Sequence, residues 1–166
     1  MTQRLLRRLA LLIVNAVSSN RLLSAYGRAT LLRRLGIEVG HARIDAGSQF
    51  HGFNARIADG CYVNEAVFFD GSAAIDIGPN VSIEMQCVLL TGSHEIGNTH
   101  QRARGNTHAG LTIGEGSWLG ARVVVLPGVQ IGAGCVIATG SVVTKSTTPN
   151  SLYAGVPATK MRDLPN

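Results

Sequence analysis

An aliphatic residue at every sixth position predicts an all-β chain wound into a parallel β-helix, a coil of short strands stacked upon itself. Three observations carry this expectation. From Ile113 the sequence divides into IGEGSW, LGARVV, VLPGVQ, IGAGCV, IATGSV and VTKSTT, so that positions 113, 119, 125, 131, 137 and 143 are aliphatic without a break. Four places later, at 117, 123, 129, 135 and 141, stand Ser, Val, Val, Cys and Ser, each small or β-branched. Aromatics make up only 5% of the chain, which holds 20 glycines, so the core must be thin layers of Val, Ile, Leu and Ala. Neither a 3.6-residue helical period nor strict alternation produces six in-phase aliphatic positions. A hexapeptide period does: each hexad supplies a short extended segment and a corner. The aliphatic residue points inward, the small residue shares the interior, and Gly after the aliphatic residue relieves the corner.

The elements follow in order along a single domain of 166 residues. Residues 1–36 form an N-terminal helical arm. RLLRRLALLIVNAV and SAYGRATLLRRLG mix Leu with Arg at three- and four-residue spacings and are divided near SSN. A solenoid needs a cap over its first layer, which is the arm's expected role, and contact with an anionic membrane surface is the alternative. The β-helix is expected over 37–148, with the same period in the runs Ile57, Val63, Phe69 and Ile77, Ile83, Leu89. GSAA at 71–74 interrupts it briefly, and a polar loop from His94 to Gly110 interrupts it at length. Residues 149–166 leave the period as a short C-terminal tail. Cys61, Cys87 and Cys135 fall on the small interior position, so buried free thiols are expected rather than a metal or redox site.

The net charge of +5 is unevenly placed. Arg4, Arg7, Arg8, Arg21, Arg28, Arg33 and Arg34 lie in the arm, which has no acid, whereas the rest of the chain has 8 basic and 10 acidic residues. Basicity confined to an arm argues against a nucleic-acid partner. The apolar stretch 9–17 is too short to span a bilayer and lacks a clean signal-peptidase site. A cytoplasmic location is therefore expected, at the inner membrane surface if the arm meets lipid.

His94 ends an apolar run in LLTGSHEIG and opens the longest excursion from the repeat. Its imidazole suits removal of a proton from an attacking alcohol, since its unperturbed pKa is about 6.5. No serine sits in a nucleophile-elbow motif, and the cysteines are expected to be buried, so direct transfer is favoured over a covalent route.

The hexads, the loop histidine and the tail together resemble the hexapeptide-repeat acyltransferases, the left-handed β-helix family, over most of residues 37–163. WLGARVVVLPGVQIGAGCVIATGSVVTK followed by AGVPA looks like the last coils and tail of maltose and galactoside O-acetyltransferases and of polysaccharide-modifying relatives. The resemblance implies a homotrimer with clefts between subunits, acetyl-CoA as donor, no metal, and a sugar or cell-surface glycan precursor as acceptor. It implies His94 as general base. It carries acceptor binding to Asn64 and Asp70, which would otherwise be polar rung residues satisfying turn backbone. Trp118, Gly120 and Ala121 match the segment that holds the pantetheine arm and thioester carbonyl, with the Ala121 N–H as oxyanion donor. Relatives often have serine at that place, and Trp118 could equally be a subunit contact. Thr139, Thr144, Lys145, Lys160 and Arg162 align with positions lining the coenzyme groove, where cations suit phosphates. The family's basic residue two places after the tail proline is Thr159 here, with Lys160 beside it.

Serine acetyltransferase and streptogramin-type antibiotic acetyltransferase are the enzymatic alternatives. The former usually has a GDRHP-like stretch that this loop lacks. A γ-type carbonic anhydrase would need three histidines on zinc, and His94, His100 and His108 do not have its spacing. A purely structural β-helix would bind no coenzyme A.

Overall fold

The computed structural model of the protein describes residues 3–165; Met1 and Thr2 of the arm and Asn166 of the tail lie outside the described residues. The body is a parallel β-solenoid of triangular section. Its first coil comprises β1 (Glu38–Val39), β2 (Arg43–Ile44) and β3 (Gln49–Phe50). The second comprises β4 (Ala55–Ile57), β5 (Tyr62–Val63) and β6 (Phe68–Phe69), and the third β7 (Ile75–Ile77), β8 (Ser82–Ile83) and β9 (Val88–Leu89). A hairpin of β10 (Gly92–Ile96) and β11 (Ala103–His108) precedes the fourth coil, β12 (Leu111–Ile113), β13 (Trp118–Leu119) and β14 (Val124–Val125). β15 (Gln130–Ile131), β16 (Val136–Ile137) and β17 (Val142–Val143) form the fifth coil, and β18 (Ser151–Gly155) and β19 (Ala158–Asp163) close the chain. Stacking gives three faces: face 1 begins with β1 and β4, face 2 with β2 and β5, face 3 with β3 and β6. Every coil-to-coil pairing is parallel and in register, for example Leu119 with Ile137 and Ile83.

The hexad rule holds residue by residue. Ile113, Leu119, Val125, Ile131, Ile137 and Val143 all point inward and are buried, as are Ser117, Val123, Val129, Cys135 and Ser141. The three cysteines are free and buried, and their surroundings refine the expectation of inert small hydrophobes. The Cys61 thiol donates to the Gly78 carbonyl and Cys87 to that of Gly120, each at 3.1 Å. Ser117 makes the equivalent bond to Gly132 at 2.9 Å. At these three interior positions the small side chain also supplies a donor to a corner carbonyl of the next coil, whereas Val123 and Val129 hold the same position by packing alone. Gly after the aliphatic residue has a steric reason. A Cβ on Gly114 would stand 2.4 Å from the Ala133 nitrogen, and one on Gly120 2.6 Å from the Thr139 nitrogen, both backbone of the coil above.

The first coil escaped the period because it is one residue short. Ile44 follows Val39 by five places, yet pairs with Val63 while Val39 pairs with Ile57. Two further differences concern segments read as irregular. The excursion after Leu89 is not an unstructured loop: it is an antiparallel hairpin that starts at Gly92, before His94. Within the segment read as a tail, β18 continues face 2 by pairing with β16, and β19 folds back upon it.

The arm forms α1 (Gln3–Ser19) and α2 (Ala25–Arg34), the latter N-capped by the Ser24 hydroxyl, which accepts from Gly27 N at 3.1 Å. Val14, Ala29 and Leu32 close the core over Ile37, Val39, Ile44 and Phe50. The open edge of the first coil would otherwise leave backbone groups unpaired, and side chains of the arm meet them on all three faces. Arg33 donates to the Val39 carbonyl on face 1 and Arg28 to the Ile44 carbonyl on face 2. On face 3 the Asn15 amide imitates a missing strand: its Nδ2 donates to the Phe50 carbonyl at 2.9 Å and its Oδ1 accepts from the Phe50 N–H at 2.8 Å. Burial of Arg28 lowers its pKa, against the raising influence of Asp45 and Glu65.

Candidate active site

Each face presents one outward residue per strand, and these rows differ in chemistry. Face 1 carries Glu38, Arg56, Asp76, Thr112 and Gln130, with Arg56 paired to Glu38 at 3.1 Å and to Asp76 at 3.6 Å. Face 3 begins with the exposed Gln49 and continues with Phe68, Val88, Val124 and Val142, all half-buried in the single chain. Most of the candidate site residues sit along the two edges that flank this largely apolar face, with Trp118 on face 2 and Lys160 and Arg162 in the final hairpin.

The edge between faces 3 and 1 carries the hairpin. Its base is tied down by Asp70, the residue after β6. Asp70 Oδ2 accepts from Thr91 N at 2.8 Å, Gly92 N at 2.6 Å and Thr91 Oγ1 at 3.1 Å, while Oδ1 accepts from Ser72 Oγ at 2.7 Å. Burial alone would raise the Asp70 pKa, but the bonds from Ser72, Thr91 and Gly92 outweigh it and hold the carboxyl below its ordinary value. Thr91 is itself fully buried and accepts from Ala73 N and Ala109 N, so both strands of the hairpin leave the coil from a fixed point.

His94 lies two residues beyond that anchor, opposite Asn106 in the hairpin register, which shifts before Ile96 meets Ala103. One extra residue in β11 makes a bulge there, a feature that re-aims side chains. At the bulge the Arg104 carbonyl lies 3.2 Å from His94 Nδ1. A carbonyl can only accept, so this contact selects the tautomer with hydrogen on Nδ1 and leaves Nε2 as an acceptor. Nε2 has no protein partner among the described residues. The imidazole borders a cleft of about 360 Å³ with Phe68, Asp70, Ser72, Asn106 and His108. His108 therefore shares the cleft, a placement that spacing alone could not reveal, because it depends on the antiparallel register pairing Gly92 with His108. His100 stands away at the hairpin tip, its N–H bonded to Asn98 Oδ1.

The other candidates lie on the two edges, on face 2 and in the final hairpin. Asn64 lies on the edge between faces 2 and 3, where its Nδ2 donates to Glu84 Oε2 and its Oδ1 accepts from Glu65 N, each at 2.7 Å. Gly120, Ala121 and Thr139 continue that edge upward, with Gly140 N donating to the Ala121 carbonyl at 2.9 Å. Trp118 projects from face 2 between Ser82 and Val136 and is 49% exposed. Thr144 and Lys145 follow β17 on the edge of His94, two coils higher. In the final hairpin Lys160 binds Asp163 at 2.6 Å, which raises the lysine pKa and lowers that of the carboxyl. Arg162 makes no ion pair among the described residues. One chain thus brings Asp70 and His94 together, but it separates them from Asn64, Ala121 and Thr139 by the width of face 3.

A larger hollow of about 750 Å³ lies on face 1 over the Glu38–Arg56–Asp76 ladder. Glu38, Arg56 and Asp76 are paired with each other, Arg33 donates to the Val39 carbonyl and Asp59 accepts from His41 N, so the smaller cleft lined by His94 is the better chemical site. Among the described residues no three His, Cys, Asp or Glu side chains converge as a metal site, and no helix is long and apolar enough to cross a membrane.

Comparison with known proteins gives a consistent set of likenesses. A family model described as bacterial transferase hexapeptide, six repeats, matches residues 110–145. Galactoside O-acetyltransferase of Escherichia coli (strain K12) is 33% identical over 140 residues, covering 82% of this chain and 68% of that protein. A Staphylococcus aureus (strain MRSA252) protein with a provisional acetyltransferase name is 42% identical over 117 residues, spanning 70% of this chain but 58% of that relative. Among solved structures, a hexapeptide-repeat acetyltransferase of Vibrio cholerae superposes with TM-score 0.80 at 28% identity, covering 98% of this chain and 93% of the other. A galactoside acetyltransferase in complex with coenzyme A superposes with TM-score 0.76 at 25% identity, covering 99% and 84%.

Proposed function

The chain belongs to the hexapeptide-repeat transferase family, and from that premise we propose that it moves an acetyl group from acetyl-CoA to a hydroxyl of a sugar or glycan precursor. The observation that carries this reading is His94: it lines the cleft, its Nδ1 is held by the Arg104 carbonyl, and its Nε2 has no partner among the described residues. Such an imidazole can accept the hydroxyl proton as the oxygen attacks the thioester carbonyl, then return it to the departing thiolate. An acyl-enzyme on cysteine has no support, since burial raises the Cys61 pKa and pushes that of Cys87 up to about 11. The donor assignment is supported by the likeness to a galactoside acetyltransferase in complex with coenzyme A.

The assembly that suits this chemistry is a homotrimer with face 3 turned toward the three-fold axis. Burying Phe68, Val88, Val124 and Val142 there sets the Asn64–Ala121–Thr139 edge of one chain against the Asp70–His94 edge of its neighbour. Acceptor hydroxyls then fall between Asn64 and His94, and the thioester near the Ala121 N–H. The coenzyme's phosphates fall toward Lys145 and Arg162, cations free of carboxylate partners among the described residues. Ile96, 88% exposed on the hairpin, gains a partner in the same arrangement.

The test is thiol release from acetyl-CoA against a panel of sugars, nucleotide sugars, lipid-linked glycans and serine, repeated with His94→Ala. Turnover should drop on the order of 10²–10⁴-fold in the variant, the usual worth of a general base, with coenzyme A affinity retained. His108→Ala should act mainly through acceptor KM, and His100→Ala should be near neutral. Near-full transfer by His94→Ala would remove the proposed base.

A further inference from the structure

The arm's seven arginines have unequal uses. Arg28 and Arg33 cap the first coil, and Arg21 pairs with Glu65 at 3.2 Å. Arg4, Arg7 and Arg8 make no ion pair among the described residues. They line one cleft of about 460 Å³ between α1 and the solenoid corners, together with His51, Asn54 and Ser72. Arg7 also lies over the Phe53 ring, 6.0 Å from its centroid. Leu5, Leu9 and Leu12 are exposed, Leu12 at 66%, while Arg4, Arg7 and Arg8, also solvent-exposed, lie on the side of α1 that borders the cleft. Three arginines share this cleft, and no carboxylate is among the described residues that line it, so their charges are available to an external anion.

Position says whose anion it is. Ser72 lines both this cleft and the His94 cleft, so the two adjoin along one edge. Among the described residues that line the two clefts the only acid is Asp70, which already accepts from Ser72, Thr91 and Gly92. Lys145, at the coenzyme end proposed above, is three coils higher, roughly 15 Å at about 4.8 Å per coil. We propose that Arg4, Arg7 and Arg8 bind a phosphate or pyrophosphate group of the acceptor, so that the hydroxyl presented to His94 belongs to a phosphorylated sugar. This assignment of the acceptor class rests on the acyl-transfer reading above, while the anion site itself rests on the cleft.

The experiment is calorimetric titration of the full chain, first saturated with coenzyme A so that its own phosphate groove is filled. Inorganic pyrophosphate should bind the wild type, more weakly as salt is raised, and at least about tenfold more weakly to Arg4→Gln/Arg7→Gln/Arg8→Gln. Glucose 1-phosphate should bind more tightly than glucose, and the triple variant should erase that preference while leaving coenzyme A affinity unchanged. Arg8→Gln alone, which leaves the Arg7–Phe53 contact intact, should show part of the loss. No pyrophosphate binding, or equal binding by wild type and the folded variants, overturns the site. Arginine-dependent binding to phosphatidylglycerol vesicles without competition by pyrophosphate assigns these side chains to a membrane surface and also overturns it. Pyrophosphate binding through the arginines in a protein that neither binds coenzyme A nor transfers acetyl groups would keep the anion site and reject the acyl-transfer reading.

Discussion

In the proposed reaction Asp70 and His94 divide the work of the cleft between holding and reacting. Asp70 Oδ2 is committed to Thr91 and Gly92 and Oδ1 accepts from Ser72, so the first effect of the carboxylate is to fix the root of the hairpin. Its folded pKa is depressed, so the stabilisation it provides is fully present above the ordinary carboxylate value of 3.8 and is lost as pH falls through the folded value. Hydrogen exchange of residues 92–108 should therefore stay slow at neutral pH and lose protection, relative to 113–143, as pH drops below about 4. In Asp70→Asn the same segment should already exchange faster at neutral pH and should no longer respond to acid. Equal protection of the hairpin in both proteins at neutral pH would mean that Asp70 is not its anchor.

The helices of the arm act through hydrogen bonds as much as through burial. Asn15 supplies one donor and one acceptor to Phe50, the pair that a preceding coil would have supplied. Asn15→Leu fills the space but strands both backbone groups. At about 1–3 kcal/mol for each of the two unsatisfied groups, the expected loss is roughly 2–6 kcal/mol, measured by urea unfolding. Asn15→Asp keeps the acceptor for the Phe50 N–H but turns the other bond into a repulsion, so it should not rescue stability. A loss under about 0.5 kcal/mol in Asn15→Leu, within the range of ordinary surface substitutions, would show that water replaces the amide at no cost.

Assembly is where the three faces acquire different meanings. A charged ladder on face 1 is at home in water, whereas the row Phe68, Val88, Val124 and Val142 gains from being covered. Val124→Glu sets a carboxylate in the middle of that row without touching the inward side of β14. The wild type should scatter light as a trimer. The variant should run as a folded monomer, with β-rich circular dichroism retained and acetyl transfer lost, because each cleft would lack its second edge. A monomeric wild type, or a fully active monomeric variant, would dismiss the shared cleft.

The sequence by itself determined the coil, because a six-residue period is a local property: each inward aliphatic residue and each small corner residue is repeated in register with the next. It also determined that the coil is interrupted near His94, although the hairpin starts at Gly92, and that the cysteines lie inside. It concealed the first coil, where Ile44 follows Val39 by five residues and the period breaks although the pairing with Val63 survives. It concealed the hairpin as well, because ARGNTH has no apolar alternation: both sides of β11 face solvent, and the pairing is fixed by backbone and by Asp70 rather than by burial. Only the tertiary structure decided the direction of the arm's arginines, two capping backbone carbonyls and three turned into a cleft, since helical spacing gives the angle between side chains but not which side meets the body. Only the tertiary structure, too, placed Asn64 and His94 on different edges. Their separation along the chain says nothing about which corner of a triangular coil each one occupies, and that depends on the summed lengths of every strand and corner between them.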